Sequence, residues 1–435
     1  MQIKKLTALI ALATMAGAVH ATDGYFAHGY GMKAQGMGGT STAMADDTFG
    51  GANNPASMAF VCDRLDAGIE VFSPRRSASR SGSGFFDGSV DSDSDYFLIP
   101  QFGYNKMLNQ NLALGVTVYG NGGMNTNYPS GQTDLGICGG GAPNGVPGNL
   151  LCGQGKLGVN LMQLIVAPTA AYKVAPDHAI GISPLIGFQR FKAYGLQAFS
   201  GASSSPTDLT NNGNDDSFGY GVRVGYQGKI LPTLTLGAAY ASKMNFKDFK
   251  KYQGLFAEQG GFDIPENYSL GVAWQAGPQF LLALDYQRIN YSKVASVGNA
   301  VSNLFLGNAL GTNNGPGFGW DDVNVWKLGV EYKYTNQWTF RAGYNHTDNP
   351  ISGDTCANPV GTNCGEVVFN ILAPAVIKDH GTLGVTYTLA SGGEVTVAYM
   401  HAFKNDVSGT DPFFGGTDNI KMYQDSIGIA YGMKM

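Results

Sequence analysis

The stretch VWKLGVEYKYTNQWTFRAGYNH, residues 325–346, holds two runs of strict alternation joined by a short polar turn. In the first run Trp326, Leu328, Val330, Tyr332 and Tyr334 share one face, and Lys327, Gly329, Glu331 and Lys333 the other. In the second, Trp338, Phe340, Ala342 and Tyr344 oppose Thr339, Arg341, Gly343 and Asn345. Successive side chains of a strand point to opposite faces, whereas a helix repeats at about 3.6 residues. The stretch therefore predicts a hairpin with one apolar face and one face of charges and glycines.

The same rhythm recurs along the chain. It predicts fourteen strands, at 65–77, 95–106, 111–122, 159–173, 178–196, 217–229, 233–247, 266–276, 279–292, 323–334, 337–347, 380–389, 393–404 and 421–433. Short turns such as MLNQ (107–110), VAPD (174–177) and TN (335–336) alternate with long Gly/Asn/Ser/Asp loops, among them 123–158, 293–322, 348–379 and 405–420. An even number of strands with short and long connections in turn is the pattern of an outer-membrane barrel. A bilayer core offers backbone groups no water, so a spanning sheet must close on itself. The expected fold is all-β, a 14-stranded antiparallel transmembrane β-barrel.

Composition agrees. Of 435 residues 43% are hydrophobic, only 14% are charged, and 63 are glycine. The charged share is well below the ~25% of a soluble domain. The formal net charge of −5 and the lack of a basic patch argue against a nucleic-acid partner. The opening MQIKKLTALIALATMAGAVHA has a basic start, an apolar run and a small-x-small end, so residues 1–21 read as a secretory signal peptide. The division expected is 1–21 signal peptide, 22–62 plug and 63–435 barrel. Residues 22–62 do not alternate, and their length suits folding inside a lumen that fourteen strands leave wider than side chains fill.

Five cysteines remain to be placed. Cys138 with Cys152, and Cys356 with Cys364, flank Gly/Pro-rich loop stretches and read as two disulfides, leaving Cys62 as a packed free thiol. Zinc is the competing reading, but these spacings lack a CxxC knuckle. The Gly-rich GYGMKAQGMGGTS (29–41) has neither Walker A nor GxGxxG spacing, so no nucleotide is expected. Asp87, Asp91, Asp93 and Asp95 fall in the loop DGSVDSDSDY, which lacks the glycine and glutamate of an EF-hand. It reads as a solvated loop that divalent ions could bridge to lipopolysaccharide. No metal and no cofactor are expected. No serine stands with a positioned base, so no enzyme is expected either.

The segment GYFAHGYGMKAQGMGGTSTAMADDTFGGANNPASM (24–58) resembles the N-terminal hatch of the FadL family, outer-membrane transporters of long-chain fatty acids and aromatic hydrocarbons. FKDF (246–249), IPENYSLG (264–271), QWTFRAGYNHTDNPI (337–351) and VTVAYMHAF (395–403) extend the resemblance over nearly the whole mature chain. The resemblance implies passive uptake. A hydrophobic ligand is caught among the outer loops, moves to a pocket beside the hatch, and leaves sideways through the wall near a kinked third strand. Here Gly120, Asn121 and Gly122 would make that kink, with Gly24, Tyr25, Phe26 and Asn54-Pro55-Ala56 as hatch and gate and the latter tripeptide beside the gap.

Candidate ligand contacts are Phe26, Met32, Met37 and Phe49 in the hatch, and Leu304 and Phe305 in a long loop, each with an alternative reading as simple packing. Inward-facing Arg223 and Arg341, with Lys327 and Lys333, could meet a carboxylate or could pair with lumen acids such as Asp285 and Glu331. The first expectation for cargo is a long-chain fatty acid, the second an aromatic hydrocarbon such as toluene. A structural or adhesive barrel is the third reading. A monomer is expected, since lateral exit needs open wall.

Overall fold

The structure, a computed structural model, describes residues 23–138, 143–353 and 365–435. The expected signal peptide, Cys356 and Cys364 lie outside the described residues. Within them the barrel is built from β1 (Arg64–Ser81), β2 (Phe97–Met107), β3 (Leu112–Asn125), β4 (Gly158–Ala175), β5 (His178–Tyr194), β6 (Asp215–Leu231) and β7 (Leu234–Ala241). It continues through β8 (Asn267–Gln275), β9 (Phe280–Ile289), β10 (Val323–Lys333), β11 (Trp338–Thr347), β12 (Asp379–Thr388), β13 (Glu394–Thr410) and β14 (Thr417–Lys434).

Each strand pairs antiparallel with the next, and β1 pairs with β14 from Arg64↔Lys434 to Ser81↔Thr417, which closes the barrel. Closure leaves no strand with a wholly unpaired side, as a bilayer requires. The alternation has the expected sense. Trp326 and Leu328 face outward, each 50% exposed, while Lys327 between them is 6% exposed.

Two boundaries differ most from the sequence reading. Residues 405–420 are largely strand, because the β13–β14 ladder runs on from Asn405↔Met422 to Thr410↔Thr417. Beyond the apolar band a strand no longer needs an apolar face, so its sequence looks like a loop. The predicted strand 233–247 ends at Ala241, and Asn245–Phe246 pairs separately with β6.

Residues 23–63 precede β1 and meet the inward faces of the strands. Gly31 N donates to Gln101 Oε1 (2.9 Å), Gly38 N to Thr382 Oγ1 (2.8 Å), and Ser41 N and Thr42 N to Asp285 Oδ2 (2.8 and 2.9 Å). Lys33 Nζ pairs with Glu394 at 2.7 Å. The glycine run of 29–41 now has a physical reason. A Cβ on Gly36 would meet the Cα of Gly384 at 2.8 Å, and one on Gly343 would meet Gly38 N at 2.1 Å. Glycines of this segment and of the wall thus face each other backbone to backbone.

Candidate functional site

The tip of the N-terminal segment is a small turn. Asp23 and Phe26 form a bridge around Gly24, whose φ of +72° is the left-handed conformation glycine adopts freely. The Tyr291 hydroxyl, from the loop between β9 and β10, donates to Asp23 O and accepts from Tyr25 N at 3.2 Å. Lys327 Nζ lies 3.9 Å from Asp23 Oδ2 and donates to His28 O at 2.9 Å. Burial raises the Asp23 carboxyl to about 6, against the opposing pull of Lys327. Burial also holds the Tyr25 and Tyr291 phenols well above their usual range.

The tip docks on the kinked strand. The β3–β4 register slips between Gly120 and Gly122, so Asn121 is an extra residue. On the other side the β2–β3 ladder ends at Phe102↔Val118. Residues Phe97–Gln101 of β2 therefore have no β3 partner, and the edge of β3 beyond Val118 takes the tip instead. Gly123 N donates to Tyr25 O (3.1 Å) and Ala27 N to Asn121 O (3.2 Å). Tyr30 packs on Tyr119 at 4.6 Å and donates to Asn121 O at 3.0 Å. The side chain of Asn121 accepts from the same hydroxyl at 3.3 Å and donates to Gln163 Oε1 at 3.0 Å.

Above the tip lies a narrow apolar cavity of about 40 Å³, lined by Phe191, Leu196, Phe199, Phe256, Phe318 and Phe369 among others. Among the described residues no charged side chain lines it, and the one hydroxyl, that of Ser296, donates to Gly261 O. Two aromatic routes connect it to the tip. Phe256 to Phe262 is 4.9 Å and Phe262 to Tyr25 is 6.1 Å; Phe318 to Trp320 is 6.1 Å and Trp320 to Tyr25 is 5.9 Å. Tyr25 then meets Phe26 at 5.4 Å. On the outer side Phe199 separates the cavity from an open groove of about 690 Å³ that includes Leu304 and Phe413. Cys138 and Cys152 form a disulfide on that groove, with Cα atoms 5.7 Å apart.

The structure brings only some of the sequence candidates to this path. Tyr25 and Phe26 are at its end and Leu304 is at its mouth, while Phe305 packs at a tilt against Phe413, with ring centroids 5.4 Å apart. Met32 packs on Gly428 of β14, Met37 on Gly329 and Gly343, and Phe49 on Gly31, so these three fill the lumen away from the cavity.

The basic candidates are also engaged elsewhere. Arg223 donates to Ala52 O and Gly51 O (3.1 Å), and Arg341 pairs with Glu331 at 2.6 Å. Asn54-Pro55-Ala56 is not at the β3 gap. Asn54 Nδ2 donates to Thr42 O (2.7 Å) and Tyr226 O (2.8 Å), its Oδ1 accepts from Ala56 N, and the tripeptide packs on Gly181 and Gly225 of β5 and β6. It caps the short 3-10 turn Pro55–Ala59. Cys62 is exposed rather than packed, at the short-turn end of the barrel.

Sequence reading missed Phe191, Phe256, Phe262, Tyr291 and Phe369. The one signal was aromatic residues set in long loops, as in GPGFGWDD (315–322), which carries Phe318 and Trp320.

A closed antiparallel barrel with an apolar outer band, internally occupied by its N-terminal segment, is an outer-membrane β-barrel of the plugged transport class. The chain belongs to the outer membrane protein transport protein family (OMPP1/FadL/TodX), whose model matches residues 7–361. Its fold is similar to that of the Pseudomonas putida toluene transporter TodX, at 19% identity and TM-score 0.67, covering 94% of this chain and 99% of that one. The Ralstonia pickettii toluene transporter TbuX is similar at 18% identity and TM-score 0.63, with 94% and 99% covered. A Pseudomonas aeruginosa FadL homologue is similar at 16% identity and TM-score 0.65, with 96% and 99% covered. No curated protein matches the sequence significantly. The protein is thus an outer-membrane transporter of a family that carries hydrophobic compounds.

Proposed function

We propose that this transporter takes up uncharged hydrophobic molecules, with small aromatic hydrocarbons ahead of long-chain fatty acids. The observation that carries this reading is the apolar cavity, free of charged side chains among the described residues and joined by aromatic rings to a tip that rests on the open edge of β3. A carboxylate in that cavity would lose its hydration with no cation to replace it, which costs several kcal/mol even after relaxation. An aromatic ring loses nothing there and gains packing. The bases that a fatty acid would need, Arg223, Lys327 and Arg341, are occupied by backbone carbonyls and by Glu331.

The route begins in the outer groove, passes Phe199 into the cavity, and reaches Tyr25 and Phe26. Residues 23–63 act as a hatch. Release of the tip from β3 exposes the stretch where β2 and β3 are unpaired, and the ligand leaves sideways into the bilayer. Flow follows the concentration gradient, no bond is made or broken, and one monomer suffices.

Calorimetry of toluene and of oleate against the purified barrel tests this. Saturable toluene binding with weaker oleate binding is the expected result. Oleate binding that is tighter and lost in Arg223→Gln would return the assignment to fatty acids.

A further inference from the structure

The outer wall carries a second feature that the transport route does not use. On β1, β14 and β13 the outward apolar residues Val71, Ile427 and Tyr399 end, toward the long-loop side, in a polar belt that holds Arg75, Lys404 and Lys421. These three line one surface groove of about 580 Å³, which Asp91, Asp93 and Asp95 also line.

Lys404 is there because of a bulge. The β13–β14 register passes from Ala402↔Gln424 to Asn405↔Met422, so Phe403 and Lys404 both stand opposite Tyr423. Simple alternation would turn Lys404 into the lumen. The bulge turns it outward beside Phe403, and both are exposed. Lys421 faces outward two residues before Tyr423, which pairs in register with Arg75.

Three other outward cations near the long-loop ends are neutralised, and Lys192 lies over the Tyr194 ring at 5.8 Å. Arg190 pairs with Asp216 at 2.6 Å, Lys243 with Asp263 at 2.9 Å and Arg288 with Asp322 at 3.0 Å. Lys404 and Lys421 have neither an ion pair nor a hydrogen bond among the described residues. Asp406, in register with Lys421, accepts from Asn419 at 2.9 Å instead. On the acidic side Asp95 is closed by Arg75, and Asp93 by Lys156 at 3.5 Å. Two free lysines, a short distance above an apolar wall, make a site for an anion that carries its own apolar tail.

We infer that this groove binds the phosphorylated headgroup of an outer-leaflet glycolipid of the lipopolysaccharide type. Lys404 and Lys421 contact a phosphate, and Phe403, Tyr423 and Ile427 lie along the first acyl carbons. Lysine is a point charge on a flexible stem, suited to a phosphate approached from the side. The site lies on the outer wall, apart from the hatch and the cavity, so it holds a structural lipid rather than cargo.

Native mass spectrometry of the detergent-solubilised barrel tests the inference with bisphosphorylated lipid A as probe. Heat-modifiable gel mobility confirms that each variant is folded. The wild type should retain the lipid. Lys404→Gln with Lys421→Gln should lose at least tenfold in retention, and Lys404→Arg with Lys421→Arg should keep it. Dephosphorylated lipid A should bind the wild type only as the glutamine variant binds the intact lipid. Equal retention by the glutamine variant, or equal binding of the dephosphorylated form, would overturn the assignment. Displacement of the lipid by an equal concentration of inorganic phosphate would overturn the lipid as its source.

Discussion

A Cβ built on Gly122 would lie 1.7 Å from the carbonyl oxygen of Tyr25. The tip can pair with β3 only because the bulged strand presents glycine at that point. Gly122→Val should therefore push the tip off the strand while the barrel, whose ladder elsewhere is unchanged, still assembles. Hydrogen exchange of the Tyr25–Ala27 amides should rise at least tenfold, and the rate of toluene entry into cells should change with it. Native exchange in a folded Gly122→Val barrel would show that the tip does not depend on this contact.

Tyr291 holds the same tip from the opposite side, through Asp23 O and Tyr25 N. Tyr291→Phe keeps the ring and its 5.3 Å contact with Tyr25, and removes both hydrogen bonds. A buried hydrogen bond contributes about 1 kcal/mol, and the partners left unpaired add to the loss. The tip amides should exchange roughly five- to thirtyfold faster, with stability of the whole barrel unchanged within error. A variant whose tip exchanges at the wild-type rate would assign its seating to β3 alone.

Much of this was legible in the sequence, and the limits have physical causes. The alternation in 325–346 marks β10 and β11 because one face meets lipid and the other does not, a difference every spanning strand must carry. The same alternation places Arg223 and Arg341 inward but says nothing of what stands opposite them. Arg223 meets backbone carbonyls of residues 51 and 52, which no side-chain pattern reveals. The cavity is harder still to read. Phe191, Phe256, Phe318 and Phe369 come from a strand end and three separate connections, and nothing periodic relates them. Asn54-Pro55-Ala56 stands out as a motif, yet its place against Gly181 and Gly225 follows from how the segment winds through the lumen.

The cavity and the lumen cations should separate cleanly in binding. Phe256→Ala removes a ring that lines the cavity and packs on Phe191 at 4.7 Å and on Phe262 at 4.9 Å. Truncating such a ring costs about 3–5 kcal/mol of local packing, and part of that loss falls on the ligand. Toluene affinity should drop at least tenfold. Arg223→Gln, which touches residues 51 and 52 but not the cavity, should leave toluene affinity within twofold. Calorimetry on both variants reads the difference, and the opposite pattern would place the ligand in the polar lumen.

Asp23 gives the hatch a pH dependence whose sign follows from its burial. Its carboxyl is raised to about 6 in the seated tip, above the 3.8 it has when free, so the seated state holds its proton more tightly. Seating is then most stable below pH 4, weakens as pH rises from 4 to 6, and stays weaker above that. A shift of this size corresponds to roughly 3 kcal/mol at most. Above pH 6 the buried carboxylate keeps the Lys327 ammonium at 3.9 Å and the Asn345 amide, which donates to it at 3.4 Å, as compensation. Tip exchange, corrected for the intrinsic chemical rate, should be faster at pH 7.5 than at pH 4.5. Asp23→Asn carries no charge at either pH and should exchange at the slower rate throughout. If its profile matches that of the wild type, the pH dependence belongs to another group.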